Sequence, residues 1–452
     1  MPDILLSHGY FLAEDEKEQS IMRPYPPLGL LYLSAWLKQQ GYDVELFDST
    51  LRTRQGLLDR LASGSGVLGL YTNLITRKTV VELATAARQH GWTVVLGGPE
   101  PANYPAEYLA HGADVVVIGE GEQTLAELLP RLANDGPHQL HGLPGTIFRD
   151  EAGALVRNSA AGAATGSRRP PWPDRAATDI HGYLDLWRTH HGQGAVNLIT
   201  ARVAPTSATG AVTPSSGTPS PALARRCRRR SPADPGRLRS RVGVVQRRRL
   251  HDPPPLAVRI PPPPQAAGAE AAVRDHLAGR PDDEGGGHRD TGRDGLLPHL
   301  DRVGERSQRI LDRMERGVTV EQVQWATKMC QRYGIQVGMF LMWGYDGEEL
   351  EDIAATVDHV AVTQPDVFFT TVAYPIRNTG YDRLVADRVQ LAGDWLDSTD
   401  RDREVLGRPG RDYYREADQW LRNAVAAAKF AATDPASRRR IRRRPTRRGR
   451  RW

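Results

Sequence analysis

The sequence predicts an α/β protein that begins with a doubly wound parallel sheet. Three observations support this fold class. Short apolar runs alternate with helical segments from residue 3 to residue 132, glycine-rich turns follow two of those runs, and a similar alternation resumes after residue 307. A chain of 452 residues has room for two or three domains.

The first part of the chain switches repeatedly between the spacing of a strand and that of a helix. Apolar runs typical of strands occupy residues 3–7, 43–48, 67–71, 93–96 and 114–118. Apolar residues at helical spacing occupy residues 26–37, 76–89 and 124–132. Gly41 ends the first of these helices. Strands joined through helices run parallel, so the five runs predict one parallel sheet.

Two glycine-rich loops follow the fourth and fifth predicted strands. Residues 97–100 read Gly-Gly-Pro-Glu, and residues 119–122 read Gly-Glu-Gly-Glu. Ligands of such sheets bind beyond the carboxyl ends of the strands, and glycine lets the main chain approach a flat ligand closely. Both loops are equally well interpreted as the tight strand-to-helix turns that any such fold needs. The spacing alone leaves both interpretations open.

The chain then changes composition twice. Residues 151–179 are rich in Ala, Gly, Ser, Arg and Pro, which predicts a linker or strap. A short helix over residues 182–191 leads to a strand-like run at residues 195–202. From residue 203 to residue 306 the sequence contains no Phe, Trp, Tyr, Lys, Met or Asn. Such a segment cannot bury enough apolar area to offset its ordering entropy, so it predicts disorder.

A second interpretation of residues 203–306 is translation of a GC-rich gene out of frame. Legal codons for residues 203–218, read from the last base of the first codon, encode Cys-Pro-Tyr-Gln-Cys-Asn-Trp-Cys, a C-x3-C-x2-C motif. Residues 246–259 and 300–306, read from the second base, encode a strand end with an amphipathic helix and Trp-Ile-Gly-Ser-Glu-Ser. The offsets differ, so more than one insertion or deletion is needed. The competing explanation is a natural disordered insert.

A globular pattern returns after residue 307. Strands are predicted at residues 336–342 and 366–372, and helices at residues 318–330, 349–360 and 412–430. Residues 344–348 read Gly-Tyr-Asp-Gly-Glu and cap the first of these strands, on the edge where barrel enzymes keep their chemistry. Cys330 lies on an apolar helix face and is most simply a core residue.

Charge and cysteine content limit the function classes. The formal net charge is +6, and much of it comes from residues 203–306 and from the arginine run at residues 438–451. That run could bind phosphates, but a solvated tail or another slipped frame explains it as well. Two cysteines cannot form a disulfide framework or a three-thiolate cluster site. Without a long apolar run or a leader pattern, we expect a cytoplasmic protein.

With the three cysteines restored after Arg202, residues 195–395 resemble the partial (β/α) barrel of a radical S-adenosylmethionine enzyme. The N-terminal part resembles the B12-binding domain, a Rossmann- or flavodoxin-like sheet, that precedes this barrel in one branch of the family. Residues 26–29, which read Pro-Pro-Leu-Gly, and the two glycine-rich loops resemble its signature loops. The resemblance implies cobalamin contacts from Pro27, Gly29, Gly97, Gly98, Pro99, Gly119, Glu120, Gly121 and Glu122.

The resemblance also implies domain boundaries and further ligands. It divides the chain into a B12-binding domain at residues 1–150, a linker at 151–194, a barrel at 195–395, and a C-terminal helix and basic tail at 396–452. An Asp-x-His-x-x-Gly motif is absent, so we expect a corrinoid without a histidine ligand; neither His8 nor His111 is expected to bind cobalt. For S-adenosylmethionine, the resemblance implies contacts from Gly344, Gly347 and Glu348.

The chemistry implied by the resemblance needs a [4Fe–4S] cluster, S-adenosylmethionine and cobalamin, a small-molecule substrate and an electron donor. The outcome is methyl transfer or ring formation. In the printed chain Val203, Ser207 and Gly210 stand where the three cysteines should be, so we expect this chain to be inactive. One alternative is a non-catalytic cobalamin-binding protein with a degenerate barrel. Another is a basic protein associated with nucleic acid.

Overall fold

The computed structural model describes residues 1–161, 171–197, 243–246, 297–300, 307–332, 336–390 and 393–433. Its N-terminal part is a seven-stranded sheet in the order β2-β1-β3-β4-β5-β6-β7. The strands are β1 (Ile4–His8), β2 (Val44–Leu46), β3 (Gly66–Tyr71), β4 (Trp92–Gly97), β5 (Val115–Val117), β6 (Thr146–Arg149) and β7 (Leu155–Arg157). The first five are parallel, which confirms the doubly wound sheet.

The last two strands form an antiparallel hairpin that the sequence pattern did not predict. Val115 to Val117 pair with Phe148 to Thr146, and β7 then pairs with β6. The first sheet therefore continues past residue 150, where the composition shift had suggested a boundary. Phe148 and Ile147 are fully buried on opposite faces, so this hairpin belongs to the same core.

Helices cover both faces of this sheet. They are α1 (Glu16–Ile21), α2 (Leu28–Gln39), α3 (Arg54–Ala62), α4 (Arg77–Gln89), α5 (Pro105–Ala110) and α6 (Gly121–Asn134). Side chains alternate along β1, so Ile4 and Leu6 pack with α2 and α6 while Leu5 packs with α3 and α4. This alternation produces two separate cores, as a sheet between two helical layers requires.

The strap predicted after the first domain is docked onto it. Helix α7 (Ile180–His191) begins at Asp179, whose side chain accepts a hydrogen bond from the Gly182 amide. The Tyr183 hydroxyl donates to Asp48 at 2.9 Å, and the Trp187 indole donates to the Pro24 carbonyl at 2.8 Å. Both aromatic side chains are buried, so α7 packs as part of the N-terminal unit.

A second sheet of four parallel strands has the order β11-β10-β9-β8. Its strands are β8 (Gly243–Gln246), β9 (Leu297–Leu300), β10 (Gly338–Trp343) and β11 (Val367–Val372). Two of them lie within residues 203–306, for which the composition predicted disorder, and the rest of that range lies outside the described residues. The four strands agree with an α/β unit, while closure into a partial barrel stays a prediction.

The helices of this part are α8 (Gln308–Arg313), α9 (Val320–Arg332), α10 (Leu350–Thr363), α11 (Gly380–Leu384) and α12 (Arg411–Thr433). Two short strands, β12 (Val389–Gln390) and β13 (Glu404–Val405), pair antiparallel. Helix α12 buries Tyr414, Ala417, Leu421 and Val425, an apolar stripe at helical spacing, against α10 and β10. Among the described helices, none has the length and hydropathy needed to cross a bilayer.

Residues 395–400 return to the N-terminal unit and bind it through a buried arginine. Arg77 forms an ion pair with Glu100, and each side chain is 4% exposed. The same guanidinium donates to the carbonyls of Trp395, at 2.6 Å, and Ser398, at 2.5 Å. The Tyr104 hydroxyl donates to Asp400. These contacts join the two α/β units at the side where α4 and α5 begin.

Candidate functional site

The predicted loops lie together at the carboxyl edge of the N-terminal sheet. Pro27 is the residue before α2, Gly97 ends β4, and Gly119 follows β5. Glu120 precedes α6. Because the five strands are parallel, their carboxyl ends share one edge, and the sequence order alone brings these loops to it.

The glycines of these loops divide into two groups. A Cβ atom added at Gly29, Gly97 or Gly119 would meet no heavy atom within 4 Å. At Gly98, where φ is +106°, a Cβ atom would lie 2.3 Å from the Thr72 carbonyl oxygen. The first group borders open space, whereas Gly98 permits a close approach of two main-chain segments.

Gly121 lies next to other side chains rather than open space. A Cβ atom there would lie 3.4 Å from the Leu33 side chain, with Val117 and Leu125 close behind. A side chain at Gly98 would clash with the main chain, and one at Gly121 would contact neighbouring side chains, so Gly97 and Gly119 are the better positions for testing ligand contact.

The remaining loop residues have ordinary structural partners as well. The Pro99 carbonyl accepts a hydrogen bond from the Asn103 side chain at 3.3 Å. Glu122 lies in the first turn of α6, where a carboxylate is favoured by the helix dipole. Burial raises the pKa of Glu100, and the neighbouring Arg77 lowers it only in part. The part that these residues play in ligand binding stays a prediction.

His8 ends β1 and has both ring nitrogens engaged. Its Nε2 lies 3.2 Å from Asp48 Oδ1, and its Nδ1 accepts from the Tyr10 amide at 3.3 Å. Burial alone would raise the pKa of Asp48, but hydrogen bonds from His8, Thr178 and Tyr183 outweigh it and hold that pKa below its usual value. Sequence reasoning missed this network, because Tyr183 is distant in the chain. His8 is therefore a poor candidate for a cobalt ligand.

His111 lies apart from the open glycines. Its Nδ1 is 2.7 Å from the Glu107 carbonyl oxygen, and its exposed ring lies 5.3 Å from the ring of Trp395. The contact with Trp395 places His111 in the junction between the two units. That His111 does not bind cobalt stays a prediction.

The second predicted loop lies at the carboxyl end of β10 and is closely packed. Gly344 has φ +69°, and a Cβ atom there would lie 2.7 Å from the ring of Tyr414. Gly347 has φ +77°, and a Cβ atom there would lie 3.0 Å from the Arg313 guanidinium carbon. Glu348 accepts from the Gly344 amide at 2.6 Å, and burial raises its pKa to about 7. Contact of Gly344, Gly347 and Glu348 with S-adenosylmethionine stays a prediction.

The described residues do not fit an iron–sulfur cluster. No group of three or more Cys, His, Asp or Glu side chains with metal-binding geometry occurs among them. Cys330 is a free thiol on α9, and burial raises its pKa to about 11, which disfavours the thiolate that a cluster needs. Cys227 and the positions Val203, Ser207 and Gly210 lie outside the described residues.

Comparison with known proteins connects the first unit to corrinoids. Residues 20–129 match the family model described as the B12 binding domain. A stretch of 100 residues is 31% identical to an uncharacterized methyltransferase, sll1242, of Synechocystis sp.. That stretch covers 22% of this chain and 18% of the relative, so the likeness concerns one domain.

The fold also resembles those of solved structures. The radical S-adenosylmethionine methyltransferase TsrM of Kitasatospora setae, solved with tryptophan substrate and a SAM analogue, matches with a TM-score of 0.60 and 18% identity, covering 96% of this chain and 89% of TsrM. The cobalamin-dependent S-adenosylmethionine radical enzyme OxsB with aqua-cobalamin and S-adenosylmethionine bound matches with a TM-score of 0.55 and 18% identity, covering 85% of this chain and 55% of OxsB. The architecture predicted from the sequence is thus the one that these cobalamin-dependent radical enzymes share.

Proposed function

We propose that the B12-binding domain holds a corrinoid against the open glycines at the carboxyl edge of its sheet, without a histidine ligand to cobalt. The observation that carries this proposal is the open space beside Gly29, Gly97 and Gly119 within a region that matches the B12 binding domain. Main-chain amides and a surface without side chains suit a flat macrocycle. The engaged ring of His8 supports the absence of a histidine ligand.

We propose further that the chain descends from cobalamin-dependent radical S-adenosylmethionine enzymes of the methyltransferase or cyclase type. Its fold likeness to TsrM and OxsB supports this proposal. A bound corrinoid supplies a carrier for a methyl group. Pro27, Pro99, Glu120 and Glu122 would border it on this edge. We place the protein in the cytoplasm, with a small-molecule substrate and an electron donor as partners.

We propose that a protein with this sequence assembles no iron–sulfur cluster and acts as a corrinoid-binding protein. Only a gene with a restored reading frame would encode the three cysteines. Val203, Ser207 and Gly210 offer no thiolates at the positions where the resemblance requires them. Sequencing the gene between the codons for Arg202 and Ser307 should reveal small insertions or deletions that restore three cysteines. A gene that encodes the printed residues with an unrelated codon series would remove the frame-slip explanation.

Corrinoid binding is tested by titrating the full chain with aquacobalamin and recording the absorption spectrum. We expect binding without the spectrum of a histidine-ligated corrinoid. Gly97→Val should weaken binding by about tenfold or more, because its side chain would occupy the open space while nothing in the protein obstructs it. The matched control is Gly64→Val, which lies before β3 at the opposite edge of the sheet. Equal affinities for Gly97→Val and the wild type would place the corrinoid elsewhere.

Cluster assembly is tested by anaerobic reconstitution with iron and sulfide. The printed chain should show no [4Fe–4S] absorption or electron paramagnetic resonance signal after reduction, whereas the product of a frame-corrected gene should show both. The readout is the cluster itself, so it does not depend on knowing the substrate. A stable cluster on the printed chain would mean that another set of ligands binds it.

A further inference from the structure

A cavity of about 180 Å³ lies at the carboxyl end of β11, in the second α/β unit. Its lining includes residues 372–374, both residues of β13, and residues 408–411, which lead into α12. The charged side chains that line it are Arg401, Arg403, Glu404, Arg408 and Arg411. Four arginines and one acidic residue are thus among the lining residues.

Two of these arginines are fixed parts of the wall. Arg408 donates to the carbonyl of Gly344, which follows β10, and to the carbonyl of Ala373, which follows β11. Arg403 donates to the Pro375 carbonyl at 2.7 Å and pairs with Asp382 at 2.8 Å. Its Nε is buried and has no hydrogen-bond partner among the described residues. The charge of Arg403 is thus paired with Asp382 and, at 3.6 Å, with Asp400, whereas Arg408 forms no salt bridge to the described residues.

The other two arginines are exposed and lack salt bridges to the described residues. Arg401 lies 5.9 Å from the centre of the Tyr374 ring, which holds its guanidinium beside the cavity. Arg411 is the first residue of the 23-residue helix α12, whose amino end adds partial positive charge. Asp402 interacts electrostatically with both Arg401 and Arg411, and Thr399 already donates to it through its amide and hydroxyl at 2.9 Å.

We propose that this cavity binds a small molecule through an oxyanion, a carboxylate or a phosphate, held by the side chains of Arg401 and Arg411. Arginine presents paired N–H donors that match the two oxygens of either group. The fixed guanidinium group of Arg408 adds positive charge beside the cavity, and Tyr374 is a further lining residue. The site lies on the same sheet edge as the loop at Gly344. The proposed anion site does not depend on whether the N-terminal unit binds a corrinoid.

The test is equilibrium dialysis of the full chain against inorganic phosphate and, separately, against succinate, with sodium chloride holding the ionic strength constant. Tighter binding of one probe decides between phosphate and carboxylate. The double variant Arg401→Gln, Arg411→Gln should lower the affinity by about tenfold. Glu404→Gln removes the acid of the lining and should raise the affinity by about twofold. Both changes affect exposed side chains, so folding should be preserved.

The control variant is Arg415→Gln, which removes a positive charge from the same helix where Arg415 pairs with Asp412 on the surface. Its affinity should equal that of the wild type. An equal loss in Arg415→Gln and in the double variant would mean diffuse attraction to a basic chain, and the proposal would be wrong. Failure of both probes to bind the wild type would also overturn it.

Discussion

The two α/β units present their carboxyl edges in opposite ways. In the N-terminal unit, Gly97 and Gly119 border open space. At the edge of the second sheet, Gly344 and Gly347 are covered by the side chains of Tyr414 and Arg313, and arginines surround the neighbouring cavity. The same residue type therefore leaves open space at one edge and permits close packing at the other.

This difference shows why a glycine-rich loop has no single meaning in a sequence. A positive φ occurs in both units, at Gly119 and at Gly344, so the backbone conformation does not distinguish them. The two glycines differ in their surroundings. An added Cβ atom would meet no heavy atom within 4 Å at Gly119, whereas at Gly344 it would meet the ring of Tyr414. Our proposals accordingly assign a wide, flat ligand to the N-terminal edge and a small anion to the other edge.

The largest effect that would sharpen this comparison is expected at Gly98. Gly98→Ala places a Cβ atom 2.3 Å from the Thr72 carbonyl oxygen at a φ that side chains rarely adopt. We expect the free energy of unfolding of the N-terminal unit to fall by roughly 3 kcal/mol or more, measured by urea denaturation. The matched control is Gly119→Ala, which has a similar φ but open space and should cost about 1 kcal/mol. Equal losses would show that strain alone matters.

A smaller effect is expected at Gly344. Gly344→Ala brings a methyl group against the buried ring of Tyr414, which anchors α12. We expect a loss of about 2 kcal/mol in the stability of the second unit, because the ring must shift within its core. Gly347→Ala has a similar φ but faces the half-exposed Arg313, which can move, so it should cost about 1 kcal/mol. A larger loss at Gly347 than at Gly344 would contradict this account.

The sequence predicted the sheet because its period is local, and alternation over residues 3–132 needs no knowledge of distant contacts. It could not predict the docking of α7, since the hydrogen bond from Tyr183 to Asp48 joins residues far apart in the chain. The hairpin of β6 and β7 was missed because β7 lies within residues 151–179, whose composition predicted a linker. Which glycines are open depends on neighbours such as Thr72 and Tyr414, and a loop motif does not reveal those neighbours.

A still smaller effect on stability is expected from the titration of Glu348, at the carboxyl edge of the second sheet. Burial raises the pKa of Glu348 from 4.5 to about 7, so the folded chain holds this proton more tightly than the unfolded chain. The stability that Glu348 contributes is therefore full below 4.5 and is lost as the pH rises to about 7. Glu348→Gln keeps an oxygen to accept from the Gly344 amide and removes the titration. Between about pH 5 and pH 8, the wild type should lose stability relative to this variant in urea denaturation. Parallel curves would mean that Glu348 titrates normally.

The smallest effect is expected at Gly29, where one substitution should raise the stability of the fold and lower its affinity for a corrinoid. Gly29 lies in the first turn of α2, is exposed, and has no heavy atom within 4 Å of an added Cβ. Gly29→Ala should stabilise the helix by about 0.5 kcal/mol, because alanine loses less backbone entropy on folding. If a corrinoid lies against this turn, the same methyl group should weaken aquacobalamin binding by about threefold or more. A variant that becomes more stable while binding more weakly places the ligand at Gly29, since general damage to the fold would lower both quantities. Higher stability with unchanged affinity would instead restrict the corrinoid to the turns at Gly97 and Gly119.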